Sequence, residues 1–152
     1  MPQFFQFEAD FVESLRCIPM QVRFKLDTCG MKLKLAQWNH LTQDDRQQLV
    51  DLPCESDLDI QQYRMTLQQM IWQRTHTEVA DLAVDLAPAW LNNQSIPASV
   101  QQKAAALQVP ITLTMWANLS PLQRFALIKL SRSGHENSNF LPALQEFQIL
   151  SK

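Results

Sequence analysis

The chain has 152 residues and a formal charge of −2, from 13 lysines and arginines against 15 aspartates and glutamates. This length suits one compact domain whose core folds without disulfides or metals. The near balance of charge argues against a protein that binds duplex nucleic acid through many phosphates. The only glycines are Gly30 and Gly134. This excludes the glycine-rich loops of dinucleotide-binding and P-loop enzymes, since each loop needs several glycines.

The sequence has the features of a cytoplasmic protein. Its first residues lack the parts of a signal peptide, and no run approaches the roughly 18 apolar residues of a membrane span. Cys17, Cys29 and Cys54 form no CxxC motif, so we expect free thiols that pack as small hydrophobic side chains. We therefore expect no metal site, no cofactor, and neither a membrane nor a nucleic acid among the partners.

The first predicted elements are a helix and a short extended segment. Pro19 suits the first turn of a helix, because a proline there loses no intrahelical hydrogen bond, and this helix is predicted to run to about Thr28. Gly30 then supplies a left-handed cap. Apolar and polar side chains alternate over Leu33–Leu35, which is typical of an extended segment.

Two further helices complete the first half. Thr42 is followed three residues later by an aspartate, the spacing of an N-cap and a side chain that reaches back to it. Residues 57–74 place apolar side chains near helical spacing behind an acidic start, which the helix dipole favours. Met65, Met70 and Trp72 on this helix are predicted to fill the core.

The second half is predicted to repeat this order after a bridging helix over about 77–91. Pro97 starts a helix that runs to about residue 106, and Ser120 caps another that runs to Gly134. Phe140 begins a last amphipathic helix.

An internal repeat relates the two halves. A shift of 78 residues aligns nine identities within the 33 positions from 18 to 50, where chance gives about two. We predict an all-α fold of two duplicated three-helix units related by a pseudo-twofold axis, with the bridging helix between them. Residues 1–152 then form a single compact domain, with repeat 1 over about 15–74 and repeat 2 over about 93–150. Segments 33–35 and 111–113 are the candidates for a short pair of extended segments.

Two tryptophans and two arginines recur in the repeat. Trp38 and Trp116 precede the two helix caps, and core packing is favoured over ligand binding for both. Arg46 and Arg124 lie one turn inside the following helices. They either brace a neighbouring carbonyl or carboxylate, or lie on a solvated surface, and the spacing leaves both readings open.

The densest cluster of reactive side chains surrounds the second glycine. The cations of this cluster are explained by the dipole of a helix C-terminus, which they complement and which Gly134 caps. His135 and Glu136 are not needed for that, and they indicate either a contact for a partner or an acid/base pair. Because the sequence places no nucleophile beside them, recognition is favoured over catalysis and no catalytic residue is assigned.

A basic strip in the first repeat is a second candidate contact. Between residues 16 and 34, five cations face one acid, Asp27. Such a run is either a solvated helix face or a docking strip for an acidic protein. Together, the residues predicted to contact a partner are Arg132, Ser133, His135, Glu136, Asn137, Arg16, Arg23 and Lys25.

Two long stretches carry a resemblance to a known family. They are FQFEADFVESLRCIPMQVRFKLDTCGMKLKLAQW, residues 5–38, and LSPLQRFALIKLSRSGHENSNFLPALQEF, residues 119–147. In them the chain resembles the cyanobacterial nitrate reductase-associated protein family, over nearly its whole length. The resemblance implies a small cytoplasmic protein of nitrate assimilation that works with nitrate reductase, itself a molybdenum-cofactor and iron–sulfur enzyme. It carries over no catalytic residue.

The residues and the resemblance agree on a non-catalytic accessory protein of nitrate reductase. We expect it to assist maturation, molybdenum-cofactor loading or stability of the enzyme through direct protein–protein contact. Two alternatives stay open. One is a cofactor carrier or small enzyme that uses His135 and Glu136, and the other is a regulatory helical module of nitrogen metabolism.

Overall fold

The computed structural model describes residues 4–8, 17–132 and 139–149. These residues are mostly helical, so the coarse prediction of an all-α fold is confirmed. Contacts divide the described chain into two compact units. Unit 1 consists mainly of residues 17–84. Unit 2 consists of residues 85–132 and 139–149 and also includes residues 5–7.

Unit 1 contains four α-helices and a two-stranded antiparallel sheet among its described residues. The helices are α1 (Met20–Cys29), α2 (Leu35–Asn39), α3 (Gln43–Asp51) and α4 (Asp57–Thr75). The strands are β1 (Met31–Lys32) and β2 (Ala80–Asp81), with Met31 opposite Asp81. The core of unit 1 lies between α1, α3 and α4, where Trp38, Tyr63 and Leu67 are fully buried.

Unit 2 also contains four α-helices among its described residues. They are α5 (Ala98–Ala106), α6 (Leu113–Ala117), α7 (Pro121–Arg132) and α8 (Phe140–Glu146), and a 3₁₀ turn, Ala89–Leu91, precedes them. α7 is the central helix, since it packs against α5, α8 and the 3₁₀ turn. Its side chains from Arg124 to Ile128 are all buried, which is typical of a helix enclosed by its neighbours.

Helix ends follow the local chemistry of the sequence. Pro19 and Pro97 occupy the N-caps of α1 and α5. The Thr42 hydroxyl at the start of α3 accepts a hydrogen bond from the backbone N–H of the residue three positions later. The Ser120 hydroxyl makes the equivalent contact at the start of α7. In both cases the side chain three residues on accepts from the backbone N–H of the cap, which completes a capping box.

Gly30 ends α1 in the left-handed region at φ 76°. A Cβ at this position would lie 2.6 Å from Val84 Cγ2 and 2.9 Å from the Leu82 carbonyl oxygen. Both the backbone conformation and the close approach of the chain around β2 therefore require glycine here.

Two predictions about connecting segments are wrong. Segments 33–35 and 111–113 do not pair; the strands lie at 31–32 and 80–81 instead. Leu35 and Leu113 begin helices, because Gln37 and Thr112 cap those helix starts. The bridging helix over 77–91 is absent from this fully described span, where β2 and the 3₁₀ turn replace it.

The prediction of three helices per unit is also wrong, because α2 and α6 bring the number in each unit to four among the described residues. Three of the four pairs of corresponding helices nonetheless begin 78 residues apart. Their first residues are Met20 and Ala98, Leu35 and Leu113, and Gln43 and Pro121. α1 and α5 are each followed by a left-handed residue at the same spacing, Gly30 and Gln108.

Arg46 and Arg124 brace backbone carbonyls, which settles the two readings that the spacing left open. Arg46 donates to the carbonyls of Trp38 and Asn39. Arg124, which is only 6% exposed, donates to the carbonyls of Trp116 and Ala117 and also to those of Trp90 and Leu119. Trp38 and Trp116 are both fully buried.

Replacing Arg124 by alanine should therefore destabilise the protein more than replacing Arg46. Arg124→Ala strips buried carbonyls of their donor and should lower the free energy of unfolding by about 3 kcal/mol. Arg46→Ala acts at a half-exposed site and should lower it by about 1 kcal/mol. Urea denaturation followed by tryptophan fluorescence measures both. Equal losses of unfolding free energy in the two variants would contradict the larger structural role assigned to the buried Arg124.

Asp45 gives the stability of unit 1 a defined pH dependence. Burial raises the pKa of this carboxyl, but the hydrogen bonds from Arg74 and Thr42 and the charge of Arg74 outweigh burial, so its pKa lies below its usual value. Because the pKa of Asp45 is lower in the folded state than in the unfolded state, the ionised carboxylate stabilises the folded protein at pH values above the ordinary aspartate pKa. This stabilisation is lost as the pH falls through the folded-state pKa.

Asp45→Asn should therefore lower the Tm at pH 7, and the difference from the parent protein should shrink as the pH falls below about 4. Asp44→Asn is the matched control, because Asp44 lies in the same first helical turn but is exposed. Thermal melts of the three proteins between pH 7 and pH 3 test this. A pH-independent effect of Asp45→Asn would contradict it.

Candidate functional site

Two residues of the predicted basic strip have partners inside unit 1. Lys25 Nζ donates to the carbonyls of Val50 and Leu52, at 2.6 and 2.5 Å, and so satisfies the end of α3. Burial lowers the pKa of Lys25, and the nearby sulfurs and acids only partly oppose this. Arg23 Nε donates to the carbonyl of Ile18. The positions of both cations are thus set by the fold, and their contact with a partner stays a prediction.

The predicted loop contact is largely outside the described residues. Arg132 is exposed at the last position of α7. The other residues of the predicted loop contact lie outside the described residues, and they are Ser133, His135, Glu136 and Asn137. Arg16 of the basic strip and Gly134, the predicted helix cap, also lie outside them. The structure therefore does not test whether they form a contact surface.

The described residues offer another surface, on α4. Leu58, Met65 and Trp72 recur every seven residues along this helix and are 62%, 56% and 53% exposed. A spacing of seven places them on one side of the helix, about two turns apart. The exposed glutamines beside them are Gln61, Gln62, Gln68 and Gln69. We call these seven residues the α4 face.

The α4 face combines apolar and amide side chains and carries no charge. Between residues 60 and 73 the sequence contains one charged side chain, Arg64. Arg64 is directed to other groups: its guanidinium donates to the carbonyls of Cys29 and Gly30 and pairs with Asp81 at 3.1 Å. The acids of the helix lie in its first turn, at Asp57 and Asp59.

A cleft adjoins the C-terminal half of the α4 face. It has a volume of about 500 Å³ and lies between α4 and the chain that leads into β2. Its lining residues are Gln68, Gln69, Trp72, Thr77, Glu78, Val79 and Asp81. The cleft therefore combines an exposed indole, a buried aliphatic side chain and several groups able to form hydrogen bonds.

The walls of the cleft are held by specific contacts. Buried Gln37 donates from Nε2 to the Thr77 hydroxyl at 3.2 Å and to the Glu78 carbonyl at 3.1 Å. The Trp72 ring packs edge-on against His76, with 5.8 Å between ring centroids. His76 takes the left-handed conformation that ends α4. The cleft and the α4 face are thus set by the packing of unit 1.

This arrangement suits recognition of an apolar protein surface. An exposed tryptophan and methionine supply contact area, and the glutamine side chains supply hydrogen bonds without the desolvation cost of a charge. Within the described ranges, no cluster of three or more histidine, cysteine or acidic side chains is arranged to hold a metal ion. No helix in the same ranges has both the length and the apolar content to cross a membrane.

The sequence interpretation of α4 was wrong about two side chains. Met65 and Trp72 are exposed, whereas Met70 is buried as predicted. α4 carries apolar residues on two sides, so periodicity alone does not separate the core side from the exposed side. The seven-residue spacing of Leu58, Met65 and Trp72 is the signal that would have identified the second side.

Met65 and Met70 make a matched pair for testing this surface. Met65→Gln should change the free energy of unfolding by no more than about 0.5 kcal/mol, since Met65 is exposed. Met70→Gln buries an amide at a site that is 6% exposed and should cost about 3 kcal/mol. Methionine and glutamine have similar helix propensities, so urea denaturation isolates the effect of burial. A large loss for Met65→Gln would place that side chain in the core.

The chain matches a known protein family over nearly its whole length. The family model described as conserved nitrate reductase-associated protein matches residues 4–147. No curated protein and no solved structure matches the chain. The matched region includes α4 and the cleft, and it extends through both units.

Proposed function

The chain belongs to the conserved nitrate reductase-associated protein family, and from this premise we propose that it is a non-catalytic accessory protein that binds nitrate reductase directly. The family description names an association with that enzyme. The proposed role is to assist maturation, molybdenum-cofactor loading or stability of the reductase, in the cytoplasm.

The α4 face is the observation that carries this proposal. Its three large apolar side chains are more than half exposed, which is unfavourable in water unless another surface covers them. Trp72 borders a cleft that would receive a side chain from the partner, the arrangement found at the centre of protein interfaces. We propose the α4 face as the principal contact with the reductase.

The segment from Arg132 to Asn137, with the basic strip of Arg16, Arg23 and Lys25, is a second proposed contact. Exposed Arg132 supports it, since a cation at a rim raises association rates with an acidic partner. The two surfaces differ in chemistry, because the α4 face is uncharged and the second contact is charged. Salt therefore separates them: high ionic strength should weaken only the charged contact.

We also propose that the two units arose by internal duplication. Supporting this are the helix starts 78 residues apart, the left-handed residues at 30 and 108, and the repeated capping boxes. The strongest support is the repeated arginine contact: Arg46 donates to the carbonyls of residues 38 and 39, and Arg124 to those of residues 116 and 117.

Co-elution with nitrate reductase tests the proposed function. The purified chain should co-elute with reductase prepared without its molybdenum cofactor, with reductase that contains it, or with both. Binding only to the cofactor-free enzyme indicates a role in maturation, and equal binding indicates a subunit or stabiliser. Binding to neither form overturns the proposal. Bound molybdenum, iron or zinc in the purified chain would instead favour the carrier alternative.

Variants of the two surfaces provide the control. Met65→Gln combined with Trp72→Gln should weaken binding at least about tenfold while leaving the fold intact, because apolar anchors dominate interface energies. His135→Ala combined with Glu136→Ala tests the second contact in the same assay. Loss of binding only in the histidine and glutamate variant would move the principal contact away from α4.

A further inference from the structure

Two cysteines that are 25 residues apart in sequence meet in unit 1. Cys29 is the last residue of α1 and is buried, and Cys54 is half-buried in the connection between α3 and α4. Their Sγ atoms lie 2.7 Å apart. A disulfide bond has a sulfur separation of about 2.05 Å, so a small movement of the side chains would join the two sulfurs.

The backbone on both sides of the pair is held by hydrogen bonds. The Sγ atom of Cys54 lies 3.7 Å from the carbonyl oxygen of Lys25, and Lys25 Nζ donates to the carbonyls of Val50 and Leu52 just before Cys54. On the other side, Arg64 donates to the carbonyl of Cys29 at 2.7 Å. The close approach is therefore built into the packing of α1 against α3 and α4.

The geometry favours a disulfide over a metal site. Two thiolates bound to one zinc ion, each at about 2.3 Å, stand about 3.8 Å apart, which is farther than the separation seen here. The described residues also supply no third ligand for such an ion.

The surroundings also favour ionisation of one thiol of the pair. The hydrogen bond from Cys54 is the largest influence on the pKa of Cys29 and lowers it, and the charges of Arg64 and Lys25 act in the same direction. Burial opposes them but does not reverse the result. The thiolate is the reactive form in thiol–disulfide exchange.

We propose that Cys29 and Cys54 form a reversible intrachain disulfide, a modification site for a disulfide oxidant such as oxidised glutathione. One thiolate of the pair attacks a glutathione sulfur, which forms a mixed disulfide and releases one glutathione thiolate. The second cysteine loses its proton and attacks the mixed disulfide, which closes the Cys29–Cys54 bond and releases the second glutathione. Two electrons pass from the pair to glutathione, and the two released thiolates take up the two protons.

The bond would act on the start of α4. Cys54 lies two residues before Ser56, the N-cap of α4. A covalent link to the end of α1 restricts the unfolded chain between the two cysteines and so stabilises the folded one. The oxidised form should therefore melt at a higher temperature than the reduced form. This inference does not depend on nitrate reductase as the partner.

Peptide mapping of the full chain tests the proposal. After treatment with oxidised glutathione and alkylation of the remaining thiols, trypsin should release peptide 26–32 linked to peptide 47–64. Peptide 17–23, which contains exposed Cys17, should carry the alkyl group or a single glutathione and no second peptide, and so serves as the internal control. Dithiothreitol should separate the linked peptides.

Thermal melts supply a second readout. Oxidation should raise the Tm by about 10 °C; Cys17→Ser should keep this rise and Cys54→Ser should lose it. Absence of the linked peptide in protein that circular dichroism shows to be folded would overturn the proposal. So would a link that joins Cys17 to either partner in place of the predicted pair.

Discussion

Each unit depends on a guanidinium that closes the end of a short helix. α2 and α6 are five residues long, and each is followed by another helix after a turn of three residues. Such a turn leaves the last carbonyls of the short helix without intrahelical donors. Arg46 and Arg124 supply those donors from the first turn of the next helix. The short helix, its buried tryptophan and the following capping box can therefore pack together.

The two arginines do not contribute equally. Arg124 is buried and also holds Trp90, so it ties the 3₁₀ turn to the centre of unit 2. The Trp90 ring in turn packs edge-on against Phe125, the neighbour of that arginine on α7. Arg46 lies at a more open site and packs over the ring of Trp38. The same contact thus supports a core element in unit 2 and a surface-facing turn in unit 1.

The sequence predicted the parts of the fold that local chemistry determines. Proline and hydroxyl caps act within four residues, so Pro19, Thr42 and Ser120 located three helix starts. Segment 33–35 was misread because three alternating residues fit both an extended segment and the approach to a capped helix. The prediction of a bridging helix was wrong for a different reason: the chain after α4 pairs with β1, and the paired residues Met31 and Asp81 are 50 residues apart in sequence. No local pattern encodes such a pairing.

The candidate site was harder to predict, because it depends on which side of an element faces the core. α4 is apolar on two sides, and Lys25 belongs to a basic run but is directed to α3. The cysteine pair has no motif, since its two members are brought together only by the packing of α1 against the α3–α4 connection. Tertiary contacts decide all three cases, and composition and spacing do not describe them.

On the proposed duplication, the differences between the halves indicate where function resides. What the halves share is the frame: the proline caps, the buried tryptophans and the arginine contacts. The cysteines are not shared, because the positions 78 residues after Cys29 and Cys54 are Leu107 and Arg132. Selection for folding alone explains the shared frame, whereas the thiol pair and the α4 face lie in unit 1 and are the features on which the proposed disulfide and the proposed partner contact depend.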